Sequence, residues 1–166
     1  MSFYNIIQRI NDLPISEEIR QNASAFPWLE SVHVMAICTV VGMIAVVDLR
    51  LLGVPAHVPS LRRLERQVLP IVWAGFALAL VSGILLFASN ATRYINNDDF
   101  VLKMWLIVAT FVNMCFFQYY LRKRFIVDEE QLSVAVGARL AGGISLALWI
   151  AVVFFGRRIG FTLAPF

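Results

Sequence analysis

The sequence predicts an all-α integral membrane protein, in which an antiparallel four-helix bundle follows an amphipathic interfacial helix. Composition is the first reason: 60% of the 166 residues are hydrophobic and 15% are charged, whereas soluble globular chains average about 45–50% apolar and about 25% charged residues. The second reason is a set of four apolar stretches, each near the roughly 20 residues that cross a bilayer core of about 30 Å. Short polar connections join these stretches, which makes consecutive spans antiparallel neighbours.

Residues 1–27 are predicted to form the interfacial segment. Before Pro14, one helical face carries four apolar residues, Phe3, Ile6, Ile7 and Ile10. A helix with a single apolar stripe lies in the membrane interface rather than across the bilayer. A second short helix can begin at Ser16, whose hydroxyl is a suitable N-cap.

Residues 28–166 are predicted to hold the bundle, whose spans cover residues 28–52, 68–88, 100–121 and 140–156. In the second span, Gly75, Ala79 and Gly83 recur every four residues. Such a stripe lets another helix approach closely, and this packing role is its favoured explanation. Room for a planar ligand is the functional alternative.

Lysine and arginine cluster beside the apolar stretches, and eight of the 14 lie in or next to the first and third connections. Positive residues favour the cytoplasmic side, so these connections are predicted to be cytoplasmic and both termini periplasmic. The basic residues do not line one polar face, so the lipid bilayer is the expected partner and nucleic acid is not. The chain also lacks the HExxH, CxxC, GxSxG, GxGxxG and P-loop patterns of zinc, hydrolase and nucleotide sites.

His33 is the main functional candidate, because an ionisable side chain inside a membrane span is energetically expensive. It lies about 7 Å past Trp28 along a helix that rises about 1.5 Å per residue. Lys103 and Met104 lie about 5–6 Å past Phe100 in the third span. Since spans one and three run in the same direction, the three side chains are predicted to meet at similar depth near the outer surface.

An imidazole in a helical bundle can ligate haem iron, either alone or with a methionine as the second axial ligand. His57 cannot be that second ligand, because a helix of 24 residues would separate it from His33 by about 36 Å. Three arrangements remain open: His33 alone, His33 with Met104, or His33 with Lys103, which can instead neutralise a porphyrin propionate. The structural alternative, given equal weight, is that His33 hydrogen-bonds to Asn113 or to a hydroxyl while Lys103 snorkels to the interface.

Asp48 and Arg50 form a second group of charges, at the other end of the first span. Residues two apart point to nearly opposite sides of a helix, so they are not expected to pair with each other. Each needs a partner elsewhere, in lipid phosphate or in the following loop, which offers Arg62, Arg63 and Glu65. The pair is predicted to anchor and orient the span, with proton uptake as a minor alternative.

Several motifs lie along nearly the whole chain: Trp28-x4-His33, Asp48-Leu49-Arg50-Leu51-Leu52-Gly53, Pro70-x2-Trp73-Ala74-Gly75-Phe76, Ser82-Gly83-x2-Leu86-Phe87, Phe100-x2-Lys103 and Ser145-x3-Trp149. Together they resemble a family of bacterial four-span integral membrane proteins of unknown function. The resemblance implies a multi-pass protein of the bacterial inner membrane and implies no activity.

A more distant likeness rests on His33, Gly42, Arg50 and Lys103. The HemJ-like protoporphyrinogen oxidases have a histidine, a glycine, an arginine and a lysine in comparable places of their first and third spans. The chain is also distantly similar to the CopD-like copper-resistance membrane proteins. The likeness implies haem b as the cofactor on His33. Other histidines of those families are missing here, so shared catalysis and copper transport are not implied.

The leading hypothesis is therefore a membrane haem b protein with His33 on the iron and Lys103 or Met104 completing or supporting the site. It would pass electrons between a partner complex and a quinone or a periplasmic carrier. Two alternatives stay open, a cofactor-free accessory subunit of a larger membrane complex and a membrane enzyme that oxidises a porphyrin. The chain is expected to belong to an oligomer or a larger complex.

Overall fold

A computed structural model of the protein describes residues 3–54, 61–117, 119 and 136–163. These residues form seven helices and no strand, which confirms the all-α prediction. The helices are α1 (Phe3–Asn11), α2 (Pro14–Gln21), α3 (Ala25–Leu52), α4 (Leu61–Ser89), α5 (Ala91–Ile95), α6 (Asp98–Phe116) and α7 (Val136–Leu163). His57 lies outside the described residues, as do residues 118, 120 and 121 of the predicted third span.

Four of these helices, α3, α4, α6 and α7, are long and apolar enough to cross a membrane. Fewer than a quarter of the residues in their most apolar windows are buried inside the protein. The remaining apolar surface requires lipid rather than water as its surroundings. The chain therefore has the character of a multi-pass membrane protein, as predicted.

The helices extend beyond the predicted spans at their polar ends. Helix α4 begins at Leu61, seven residues before the predicted start at 68, because its basic first turns continue the helix out of the apolar zone. Helix α7 has 28 residues and extends beyond the predicted fourth span of residues 140–156 at both ends. The sequence also allows a helix that enters this span from about Leu132, and residues 132–135 lie outside the described residues. Helix α3 ends at Leu52 as predicted. It stops there because Gly53 adopts a left-handed φ of 92° and donates its backbone N–H to the Arg50 carbonyl.

Helix α3 is central to the packing. It contacts both α4 and α7, and α6 packs on α7. Each packed pair runs antiparallel, as expected for helices joined in up-down order. Among the described residues, α4 and α6 share little backbone packing. They meet through side chains at one end, where the Phe87 and Phe100 rings stack with their centroids 5.6 Å apart.

Glycines bring α3 close to its two neighbours. A Cβ atom added to Gly75 of α4 would lie 3.0 Å from Val40 Cγ2, and one added to Gly83 would lie 2.9 Å from His33 Cε1. The stripe through Gly75 and Gly83 therefore faces α3, which confirms the packing explanation for it. On the other side, a Cβ added to Gly142 of α7 would lie 2.9 Å from Leu51 Cβ.

Polar contacts tie the beginning of α6 to the end of α7. The Asn97 side chain accepts a hydrogen bond from the Phe100 N–H at 3.0 Å, which caps α6. Its amide nitrogen also donates to Thr162 Oγ1 at 2.8 Å. Asp99 and Arg158 form a salt bridge of 3.5 Å beside it. The acidic first turn of α6 thus satisfies both the helix dipole and a neighbouring arginine.

The N-terminal helices α1 and α2 dock on the same end of the bundle. Arg20 donates hydrogen bonds to the carbonyls of Ser89 at 3.2 Å and Asn11 at 3.3 Å. It also pairs with Glu17, and this hydrogen bond holds the pKa of the Glu17 carboxyl below its usual range. Of the predicted apolar stripe, Ile7 is buried against the bundle while Ile6 stays exposed.

We expect the close approach of α3 and α7 to make Gly142 intolerant of a side chain. In Gly142→Ala the new methyl group would meet Leu51 Cβ at 2.9 Å and the Asp48 carbonyl oxygen at 3.0 Å. Overpacking of this kind costs about 1–3 kcal/mol of stability, so the thermal midpoint in detergent should fall. Gly42→Ala is the matched control, because nothing lies within 4 Å of its Cβ position. Equal midpoints for the two variants would contradict the packing described for α3 and α7.

Candidate functional site

His33 lies on the face of α3 that packs against α4. Its ring is half-buried, and Nδ1 lies 3.0 Å from the Oγ of Ser82, which is 2% exposed. The ring edge rests on Gly83, since a Cβ there would lie 2.9 Å from Cε1. Only glycine at this position leaves room for the ring in its present place.

The hydrogen bonds of Ser82 determine which nitrogen of His33 carries the proton. A serine hydroxyl has one proton to donate and can also accept. Ser82 Oγ lies 2.6 Å from the Leu78 carbonyl, which has no proton to give, so the hydroxyl donates there. The contact with His33 must then run the other way, with Nδ1–H donating to Oγ. The neutral imidazole has a single N–H, so in this tautomer Nε2 carries the lone pair. The Ala79 carbonyl of α4 also lies close enough to accept a hydrogen bond from the ring.

Lys103 brings a positive charge to the same region from α6. Its half-buried side chain packs against Gly156 of α7, where an added Cβ would lie 3.4 Å from Nζ. The Lys103 ammonium is close enough to His33 for the two groups to interact electrostatically. The structure therefore brings His33 and Lys103 together, as their similar depth predicted.

Met104 and Asn113 are not brought to His33 by any described contact. Met104 is 46% exposed and lies about 100° around the helix from Lys103. Asn113 instead donates to the Ala141 carbonyl of α7 at 3.2 Å. Of the predicted structural partners for His33, the hydroxyl is the one observed, and Ser82 provides it.

Metal-ligating side chains do not cluster in the part of the chain that the structure describes. Within it, no group of three or more His, Cys, Asp or Glu side chains is placed to hold a metal ion. A bare metal site is therefore not supported there. A metal that arrives with most of its ligands already in place, as iron does in a porphyrin, needs only one or two protein ligands.

Asp48 and Arg50 lie at the opposite end of α3. No salt bridge joins these two within the described residues, in line with their predicted separation around the helix. Asp48 is 4% exposed, and the Ser145 side chain of α7 lies beside its carboxyl group. Arg50 is half-buried, and its Nε has no hydrogen-bond partner. The side chains of Arg62, Arg63 and Glu65, which were proposed as partners, lie outside the described residues. Among the described residues, Ser145 is the polar side chain beside Asp48.

Three residues of these sites were not singled out from the sequence as site residues: Ser82, Ser145 and Gly156. Ser82 and Gly83 are adjacent, so the glycine stripe that faces α3 was the available signal for the serine. Ser145 and Gly142 lie three residues apart on α7, which places them on one helical face. Gly156 could not be identified in this way, because the side chain that packs against it is Lys103 of another helix, α6.

Comparisons with known proteins identify the family of the chain. Neither the curated protein sequences nor the solved structures contain a significant match. A family of unknown function, DUF6644, matches residues 24–162, which include all four apolar helices and both polar sites. The chain therefore belongs to the DUF6644 family.

Proposed function

We propose that the protein is a membrane haem b protein in which Nε2 of His33 is the axial ligand on iron. The observation that carries this proposal is the hydrogen bond from His33 Nδ1–H to Ser82. Metal-ligating histidines typically donate their other ring N–H to a fixed acceptor, which sets the tautomer and the orientation of the ring. Ser82 plays that part here, and it leaves the ligating nitrogen unprotonated.

The surroundings of His33 suit a porphyrin. The Lys103 ammonium can neutralise a propionate, and its electrostatic interaction with His33 supports this role beside the proposed iron. Helices α4 and α6 share little backbone packing, so a flat ligand between them would not have to break an existing helix contact. Met104 and Lys103 are the candidates for the sixth position.

Haem bound at this position would supply reversible one-electron chemistry. The residues of the chain would hold it, balance its charge and keep it in a low-dielectric environment, which tune its reduction potential. We place the protein in the inner membrane of a bacterium with both termini on the periplasmic side, where it would pass electrons between a partner complex and a quinone or a periplasmic carrier. The resemblance to the HemJ-like proteins that we infer from His33, Gly42, Arg50 and Lys103 would imply haem b as the group bound.

The first test is the absorbance spectrum of the full chain, purified in mild detergent after expression with ample haem. We expect a Soret band in the wild type and its loss in His33→Ala, because the axial ligand is gone. His57→Ala is the matched control and should keep the band, since it removes the other histidine of the chain. A colourless wild-type protein would contradict the proposal and favour the cofactor-free accessory subunit.

A second test concerns the tautomer of His33 in haem-free protein. In nitrogen-15 NMR spectra of the reconstituted protein, we expect Nδ1 to be protonated and Nε2 unprotonated in the neutral ring. Ser82→Ala should remove this preference and weaken haem binding by about 10–100-fold, the usual effect of losing the group that orients a ligating histidine. The control is Ser89→Ala, which removes a buried serine whose hydroxyl donates to the Leu86 carbonyl of the same helix. A protonated Nε2 in the wild type would rule out the ligand role assigned to the ring.

A third test uses the charge of Lys103. Replacing it in Lys103→Met removes a positive charge that stabilises the reduced, less positive state of the iron. We therefore expect the midpoint potential in a spectroscopic redox titration to fall. Lys103→Arg keeps the charge and should stay close to the wild type. An unchanged potential in Lys103→Met would show that the ammonium does not lie beside the haem.

A further inference from the structure

Asp48 is the most deeply buried carboxyl group of the described residues, and one of its oxygens is unsatisfied. The residue is 4% exposed and lies in the contact between α3 and α7. The Ser145 hydroxyl of α7 lies beside the carboxyl group. Oδ2 has no hydrogen-bond partner. The α7 backbone is close, since a Cβ on Gly142 would lie 3.0 Å from the Asp48 carbonyl oxygen.

Among the described side chains of the neighbouring helices, no charged group neutralises this carboxyl. The cations on the described parts of the packed elements are Arg50 of α3, Arg66 of α4 and Arg139 of α7. Arg66 and Arg139 are exposed, and the Arg139 guanidinium lies 3.9 Å from the Cβ position of Gly53. No salt bridge connects any described cation to Asp48. An ionised carboxylate with one unpaired oxygen is strongly disfavoured at such a site.

We propose that Asp48 is a proton-binding site that is protonated on Oδ2 in the folded protein. Uptake adds one proton to the carboxylate and removes its negative charge, and hydronium or a buffer acid of the aqueous phase is the donor. Asp48 lies four residues before the end of α3 at Leu52, about 6 Å along the helix. The proton therefore has a short path to the surface where α3 ends and α7 begins. Proton binding at this site does not require haem at His33.

A proton fits this site better than a metal cation. Calcium takes six to eight oxygen ligands and magnesium about six, whereas the site offers one carboxyl group and one hydroxyl. No cluster of three or more acidic, histidine or cysteine side chains surrounds it within the described residues. One unpaired oxygen is sufficient to bind a proton.

The test is infrared spectroscopy of the full-length protein reconstituted in lipid vesicles. A protonated carboxyl group gives a carbonyl stretching band that shifts to lower frequency in deuterium oxide. We expect this band at neutral pH in the wild type and expect it to disappear as the pH is raised. Asp48→Asn should lack the band, while Asp98→Asn, which removes an exposed carboxyl of the same chain, should retain it.

The remaining outcomes also decide the proposal. Ser145→Ala should move the band to higher frequency, because the carbonyl loses the neighbouring hydroxyl, and this variant serves if Asp48→Asn does not fold. Absence of the band at neutral pH would overturn the proposal, as would a band that survives in Asp48→Asn or stays unmoved in Ser145→Ala. Loss of the band on replacing choline with sodium at constant pH would also overturn it, because a metal cation would then occupy the site.

Discussion

The interior of a bilayer offers no hydrogen-bond partners, so a polar side chain on a membrane span must find its partner within the protein. The described spans follow this constraint except at two buried atoms of α3, Asp48 Oδ2 and Arg50 Nε, which have no hydrogen-bond partner. Thr39 donates back to the Met35 carbonyl of its own helix at 2.9 Å, as hydroxyls on helices commonly do. Side chains that cannot bond to their own helix reach a neighbour instead. Asn113 bonds to the backbone of α7, His33 bonds to Ser82 of α4, and Asp48 lies beside Ser145 of α7.

The glycines of the packed helices are the structural counterpart of these polar contacts. A serine side chain is short, so it can reach another helix only where the two backbones lie close together. Gly83 stands next to Ser82, and Gly142 lies one turn before Ser145. In each case the glycine allows the two helix backbones to approach closely. The short serine side chain can then reach a polar group on the neighbouring helix. Close packing and polar satisfaction are therefore two consequences of the same pattern of small residues on α4 and α7.

Much of the fold follows from the sequence, because the lengths of the apolar stretches reflect the thickness of the bilayer. The number of spans, their antiparallel order and the end of α3 at Gly53 were predictable in this way. The beginning of α4 and the end of α7 were not, since hydropathy gives no signal for a helix that continues into polar surroundings. Ionisable residues on otherwise apolar stretches indicated the candidate site residues. They could not show how far each helix extends.

The site was predictable in part for a related reason. His33 and Lys103 share a depth, and depth follows from counting residues along a helix. The neighbour that a side chain faces depends instead on the rotation of each helix and on which helices pack together. Neither can be derived from the pattern of residues in a single sequence. Met104 therefore shares the depth of Lys103 but lies on a different face. Ser82 and Ser145 were inconspicuous because serine is common at helix contacts of every kind.

The two polar sites lie at opposite ends of α3, and their separation limits how strongly one acts on the other. His33 and Asp48 are 15 residues apart, which corresponds to about 22 Å of helix. With an effective dielectric constant of about 20, unit charges at that separation interact by about 0.8 kcal/mol. This energy is equivalent to roughly 30 mV for one electron and to about a fourfold change in an equilibrium constant. A charge change at His33 therefore biases proton occupancy at Asp48 without fixing it, so the central helix carries two sites that can be occupied largely independently.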